Sequence, residues 1–423
     1  MLSLYPGRPS VLPGEPLDLH VSTNAARYDL AVYRIGSTGL DQRHSVWALR
    51  NIPGHAYWKR FQVDPVTRST RADWPVATSL DTTGWAPGVY VVKATDSARE
   101  VGWTIFVVRS PAFSPERPAF VLPVMTYQAY NEWGAGDFYT HPRAVQVSFE
   151  RPYLNGAGLA AFQRSDVRLL AWLTAHGYTL DFTTDYDLAH DPPAGAPGLL
   201  IIPMHMEYVP ASLRDWIELH VNSLGDMNLA LYGANSIYWQ TRLVPAPVQG
   251  EPDELVCYKS LDDPIAATDP GAATVRWRDA PVNRPEGLIL GSQYVGILGD
   301  GHFDRYDYTV DRAAPPELLA GTGWTTSTRI LGLLVGEGDA LFPDSGAIPV
   351  LDGHGRDKNG KPLATNVVVR ISPAGARVFS VGTFQWTDGF VASRIGLNIG
   401  VSAASFERFN RNVLAWLGFP APR

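Results

Sequence analysis

At 423 residues, with 45% hydrophobic and 18% charged side chains, the chain is long enough for two folding units that each bury a core, and its composition excludes a disordered protein. A formal net charge of -7 without any basic run argues against nucleic acid or an anionic membrane surface as partner. The single cysteine, Cys257, excludes an internal disulfide framework and a multi-thiolate metal site, which fits a reducing compartment. The opening MLSLYPGRPS has no basic stretch followed by an apolar core, and no apolar run approaches membrane-spanning length, so the expected location is the cytoplasm.

Residues 1–110 alternate apolar and polar in short runs, PLDLHVST, YDLAVYRIG, GVYVVKATD and VGWTIFVVRS, separated by turn residues. Period-2 strands without helices need a second sheet to bury their inner face, which predicts an immunoglobulin-like β-sandwich. Residues 111–118, with prolines at 111, 115 and 118, read as a stiff linker. From 119 to 423 the pattern becomes that of an α/β domain. The runs AFVLPV, TLDFTT, GLLIIP and NLALYG read as buried strands, and LAAFQRSDVRLLAWLTAHGY and ASLRDWIELHVNSLG as amphipathic helices, the first stopping at Gly177 and the second with Ser212 near its start. Alternation of this kind predicts a mostly parallel sheet flanked by helices. After about residue 250 the runs suggest further, partly antiparallel strands, and SFERFNRNVLAWLG a closing helix.

Sites in such sheets lie at the carboxyl ends of the strands. TYQAYNEWGAG follows AFVLPV, HMEYVP follows GLLIIP and GANSIYW follows NLALYG, so three polar and aromatic clusters share one sheet edge. If the strand continued through HMEY, His205 and Glu207 would project to the same side, as a proton-transfer and orienting pair or as a polar pair satisfying loop amides. Tyr127 and Tyr130 are either packed strand-end rings or hard phenolate donors that, with a glutamate, suit a trivalent metal, iron(III) above all. Asn235 is either an oxyanion donor or a turn residue at positive φ. Tyr90, in the sandwich strand GVYVVKATD, reads by itself as an ordinary core residue. NGAGLAAF contains GxGxxA with Asp181 downstream, but RPYLN stands where a strand should meet the turn, so the glycines serve helix entry rather than a nucleotide. No GxSxG elbow, Walker A loop or HExxH motif occurs, and Cys257, away from the mapped edge, reads as a buried inert thiol.

Taken in order, TYQAYN, SFERPY, GYTLDFTTDYDL, HME, GANSIYW, RPEGLILGSQY and GTFQW resemble the large subunit of N,N-dimethylformamidase and its relatives, over most of the chain. The resemblance implies an immunoglobulin-like domain joined to an α/β domain of glutamine-amidotransferase-like type. It also implies an amidohydrolase with one iron held by two tyrosines and a glutamate, acting on a small-molecule amide. Carried over, the ligands are Tyr90, Tyr130 and Glu207, with His205 and Asn235 as catalytic neighbours, which would place the site between the two domains. Tyr127 is the weaker match, since relatives tend to carry tryptophan there. The family's large subunit has an extra N-terminal β domain and works with a small subunit, whereas this chain opens at the sandwich; a homo-oligomer and a small partner subunit both stay open. Two other readings also remain: a non-catalytic sugar- or peptide-binding protein, and a metal-dependent hydrolase of esters or peptides.

Overall fold

The computed structural model describes residues 1–154, 159–301 and 304–422. The expected NGAGLAAF turn lies largely outside them, at 155–158. At the amino end, a three-stranded sheet (Leu2–Pro6, Pro16–Thr23, Val76–Asp81) faces a five-stranded one in the order Ser10–Val11, Val101–Val108, Gly88–Asp96, Arg27–Arg34, Trp47–Pro53. Alternation sorts the side chains of the larger sheet. Tyr90, Val92, Phe106 and Val108 point into the sandwich core, and Val89, Val91, Ile105 and Val107 point the other way, into the core of the second unit. Each of those buried valines contributes about 1.5–3 kcal/mol, so the two units are held by apolar contact as well as by the linker. Two hydrogen bonds stitch the end of the first unit to the next sheet: Ser110 N–H donates to Phe182 O at 2.9 Å, and Phe182 N–H to Ser110 Oγ at 3.1 Å.

The second unit is built on a nine-stranded sheet. Five strands are parallel, in the order Asp181–Thr184, Pro118–Leu122, Leu199–Ile202, Asn228–Leu231, Arg377–Ser380. Four antiparallel strands extend it: Pro362–Ile371, Ile348–Arg356, Tyr306–Val310 and Arg329–Leu334. The parallel strands are almost wholly buried, which is why they read as unbroken apolar runs rather than alternating ones. Gly177, at φ +80°, follows the Val167–Ala175 helix; the Ala211–Glu218 helix widens into π turns that end at Gly225, at φ +72°. The closing helix, Ala403–Trp416, is capped by Ser402, whose Oγ accepts from Ser405 N–H at 3.1 Å, and buries Phe406, Phe409, Val413 and Leu414 on one stripe. Ser212 is not a cap; its hydroxyl donates to Ala189 O at 2.6 Å. Among the described residues no helix is long and apolar enough to cross a membrane.

One expected element differs. The strand carrying LLII stops at Ile202, and HMEY does not prolong it. Pro203 has no N–H to give to a ladder, so the chain leaves the sheet there and runs as a loop to Glu207. Tyr208–Pro210 then pairs in parallel with Trp239–Thr241 in a separate sheet. The loop is laced instead to the turn after the next strand. Ala234 N–H donates to Met204 O, Ile237 N–H to Met206 O, and Tyr238 and Trp239 N–H to Glu207 O.

Candidate functional site

Glu207 lies at the centre of the sheet edge, 2% exposed, where both loops meet the helix Val124–Ala129. Its own N–H donates to Thr126 Oγ1 at 3.0 Å, which fixes the backbone. Its carboxylate accepts from Tyr130 Oη at 2.7 Å, from Tyr139 Oη at 3.0 and 3.1 Å and from Trp239 Nε1 at 3.0 Å. The two phenols touch each other at 2.8 Å, and Tyr208 Oη donates to Tyr139 Oη at 2.5 Å. Lys259, on a left-handed backbone at φ +57°, sets its ammonium 3.5 Å from the centre of the Tyr139 ring and also over Tyr208 and Trp239. Its charge acts on Glu207. Burial and the Glu207 charge push both Tyr130 and Tyr139 well above the ordinary phenol range.

His205, 4% exposed, anchors Nδ1 on Ala234 O at 3.0 Å. That bond requires the proton on Nδ1 and leaves Nε2 for chemistry. Nε2 sits 3.2 Å from Glu207 Oε2 but out of line for a hydrogen bond, so it has no aligned partner among the described residues. Burial acts against the imidazolium, yet Glu207 and Glu337 outweigh it and hold the ring at about 9. On Glu207, burial is in turn outweighed by His205, Lys259 and Tyr130, and its carboxyl lies below its usual range.

The loop carrying Asn235 completes the edge. Asn235 has φ +50°, as a turn residue would, and its N–H donates to Asp339 Oδ1 at 2.9 Å. Its carboxamide faces Glu337, and its Oδ1 is buried without a partner. Burial, together with the Glu207 charge and against the pull of His205, pushes Glu337 up to about 8, and its Oε2 is also unpartnered. Burial likewise pushes Asp339 up to about 7. Of these groups Glu337 borders a cavity of about 410 Å³, walled also by Tyr127, Tyr130, Met204, His205 and Phe384.

The structure therefore brings together Tyr130, His205, Glu207 and Asn235, and it does not bring Tyr90 to them. Tyr90 stacks on Phe106 inside the sandwich, with its hydroxyl on Ala86 O at 2.7 Å. The reason is the strand period: Val89 and Val91 face the second unit, so Tyr90 must face away from it. The cluster is accordingly built within the α/β unit rather than between the two units. Tyr127 walls the cavity but its hydroxyl turns away from the Glu207 cluster, bonded to Asp166. Tyr90→Phe is expected to change activity less than about twofold and to cost about 1 kcal/mol of stability, the worth of one hydrogen bond; loss of bound metal in that variant would restore Tyr90 as a ligand. Cys257 is buried and pushed up to about 12 by burial, as an inert thiol should be.

Tyr139, Lys259, Glu337 and Asp339 were not legible from the sequence. Glu337 and Asp339 carry one signal, two carboxylates two apart in GEGDAL after the apolar run RILGLLV; Tyr139 and Lys259 sit in loops with none. Among the described residues no three His, Cys, Asp or Glu side chains gather as a metal site, so a ligand set exists here only through the phenols. Two phenols and a carboxylate within hydrogen-bond distance of one another, beside an unaligned imidazole nitrogen, are hard donors that fit the trivalent cation implied by the resemblance.

No curated protein matches the chain. Among solved structures, superoxide reductase (neelaredoxin) from Ignicoccus hospitalis is 12% identical, covering 26% of this chain and 78% of its own, at a TM-score of 0.15. A cycloisomaltooligosaccharide glucanotransferase from Paenibacillus sp. is 13% identical over 62% of this chain and 34% of its own, at 0.18. Neither likeness is close enough to bear on the fold. A family model, N,N-dimethylformamidase beta subunit-like, C-terminal, matches residues 29–395 and so takes in the larger part of the sandwich and every site residue named above. The chain belongs to the N,N-dimethylformamidase beta subunit-like family.

Proposed function

We propose that the chain is an amide hydrolase that breaks a non-peptide C–N bond at the Glu207 edge of the sheet. The observation that carries this reading is the cluster of Tyr130, Tyr139, Glu207 and an unaligned His205 Nε2 at one sheet edge, where Tyr130 and His205 also wall a cavity, in a chain of this family. Tyr130, Tyr139 and Glu207 would hold iron(III), which when bound supplies Lewis acidity toward water and the amide carbonyl.

The protein's own groups do the rest. His205, a wall residue of the cavity, is locked by Ala234 O, which leaves Nε2 as the free nitrogen. With its carboxylate given to a cation, Glu207 would no longer hold the imidazolium, and burial would favour neutral imidazole, a base able to take a proton from water and return it to the leaving nitrogen. Glu337, a cavity residue whose carboxyl is pushed up by burial, would hydrogen-bond the substrate carbonyl, supported by the Asn235 carboxamide that faces it. Phe384, edge-on to His205 at 4.7 Å between ring centres, keeps water from that side of the imidazole. The sandwich is read as the immunoglobulin-like domain of the family and the second unit as its amidotransferase-like sheet. The family's designation as a beta subunit is in keeping with an assembly of more than one chain, either a homo-oligomer or a complex with a small partner subunit.

The test is a visible absorption spectrum with metal analysis on the same sample. Phenolate on iron(III) gives a charge-transfer band; about one iron per chain, with the band lost in Tyr130→Phe and Tyr139→Phe, is the expected result. Colourless protein that takes up no iron would overturn the metal assignment and leave a binding protein as the better reading.

A further inference from the structure

The cavity beside His205 is larger than dimethylformamide needs. At about 30 Å³ for each water displaced, its 410 Å³ has room for roughly a dozen waters, and it falls in the range of sites for drug-sized ligands. Tyr130, His205 and Glu337 belong to its polar lining, with Thr126, Ser165 and Gln385, whereas Tyr127, Met204, Ala160, Ala161, Ile297 and Phe384 supply apolar wall.

That wall is held in place. The Tyr127 hydroxyl is bonded to buried Asp166, whose other oxygen accepts from Met204 N–H at 3.2 Å, so one carboxylate fixes two wall residues. Phe384 is tied through its carbonyl to Ser165 Oγ at 3.1 Å and through its N–H to Val335 O at 3.3 Å. A fixed apolar pocket favours a rigid apolar group because little side-chain freedom is lost on binding. Of the cavity residues, the charged Arg164 and Asp300 are exposed, as are Ala160 and Ile297, whereas Tyr127 is buried and Met204 and Phe384 are half-buried.

We infer that the substrate is an amide carrying an apolar group of aromatic size, seated between Tyr127, Met204 and Phe384, with its carbonyl toward His205 and Glu337. The inference rests on the reading of this site as an amide hydrolase. The reaction is unchanged: the oxygen of water bonds to the carbonyl carbon, the C–N bond breaks, and a proton from water goes to the leaving nitrogen.

The test compares kcat/KM for N-benzylformamide and phenylacetamide with that for N,N-dimethylformamide, and measures binding of the same three compounds to the His205→Ala protein by calorimetry. At least one aryl amide is expected to exceed dimethylformamide by about 100-fold, as one apolar pocket can discriminate, and Ala161→Phe, which fills the pocket, to cut that ratio by about tenfold. Dimethylformamide hydrolysed as well as both aryl amides would overturn the inference and leave the hydrolase reading intact. Aryl amides bound in preference to dimethylformamide but never hydrolysed would support the pocket's selectivity and remove the hydrolase. No preference in binding, with no hydrolysis, would remove both.

Discussion

Replacing His205 by alanine is expected to lower kcat on a hydrolysed amide by about a hundred- to ten-thousand-fold, the usual worth of a positioned proton carrier, with iron content unchanged. The separation of the two effects follows from geometry. His205 contributes Nε2 beside the cluster but makes no aligned bond to it, and its other nitrogen holds only a backbone carbonyl. Glu207 is different: it is the common partner of Tyr130, Tyr139 and Trp239, so Glu207→Gln removes the charge around which the phenols gather and should lose metal and activity together. Both variants are read by metal analysis alongside turnover. If His205→Ala kept full activity, the proton-carrier role would be wrong; if it lost iron as completely as Glu207→Gln, His205 would be a ligand instead.

How far the site could be read in advance depended on which physical signal each residue carried. The parallel strands are plain because burial on both faces leaves uninterrupted apolar runs, and the rule that sites sit at their carboxyl ends points to His205, Glu207, Asn235 and to Tyr127 and Tyr130 alike, with only the resemblance preferring Tyr130. The pairing of His205 with Glu207 was anticipated for a reason that does not hold. They share a side not as alternate residues of a strand but because Pro203 ends the strand and the Gly233 turn folds the loop back. Tyr90 shows the opposite case: its own strand period marked it as a core residue, and only the resemblance made it a ligand. Tyr139 takes the second phenol position from an irregular loop after Trp133, where no periodicity exists to be read. Glu337 and Asp339 arrive from a two-stranded ribbon beside the antiparallel extension, whose pairing depends on long-range register rather than local pattern.

The second large effect is predicted at Gly233, which touches no substrate. An alanine methyl there would lie 1.5 Å from Met204 O and 2.2 Å from Met204 C, both backbone atoms that no rotamer change can move aside. The loop from Pro203 to Glu207 must therefore retreat from the Asn235 turn. Retreat strains the Ala234 N–H bond to Met204 O and the His205 Nδ1 bond to Ala234 O, the contacts that aim the imidazole. Gly233→Ala is expected to cost more than about 3 kcal/mol, in the range reserved for overpacking and broken buried networks, and to lower kcat with it. Gly195→Ala is the control: its added methyl meets nothing within 4 Å, and its effect should stay within about 0.5 kcal/mol. Thermal melts of the two variants beside the parent chain, with activity on the same samples, decide the matter. A Gly233→Ala protein that melts with the parent would mean that the two loops do not approach as described, and the placement of His205 beside Glu207 would lose its structural cause.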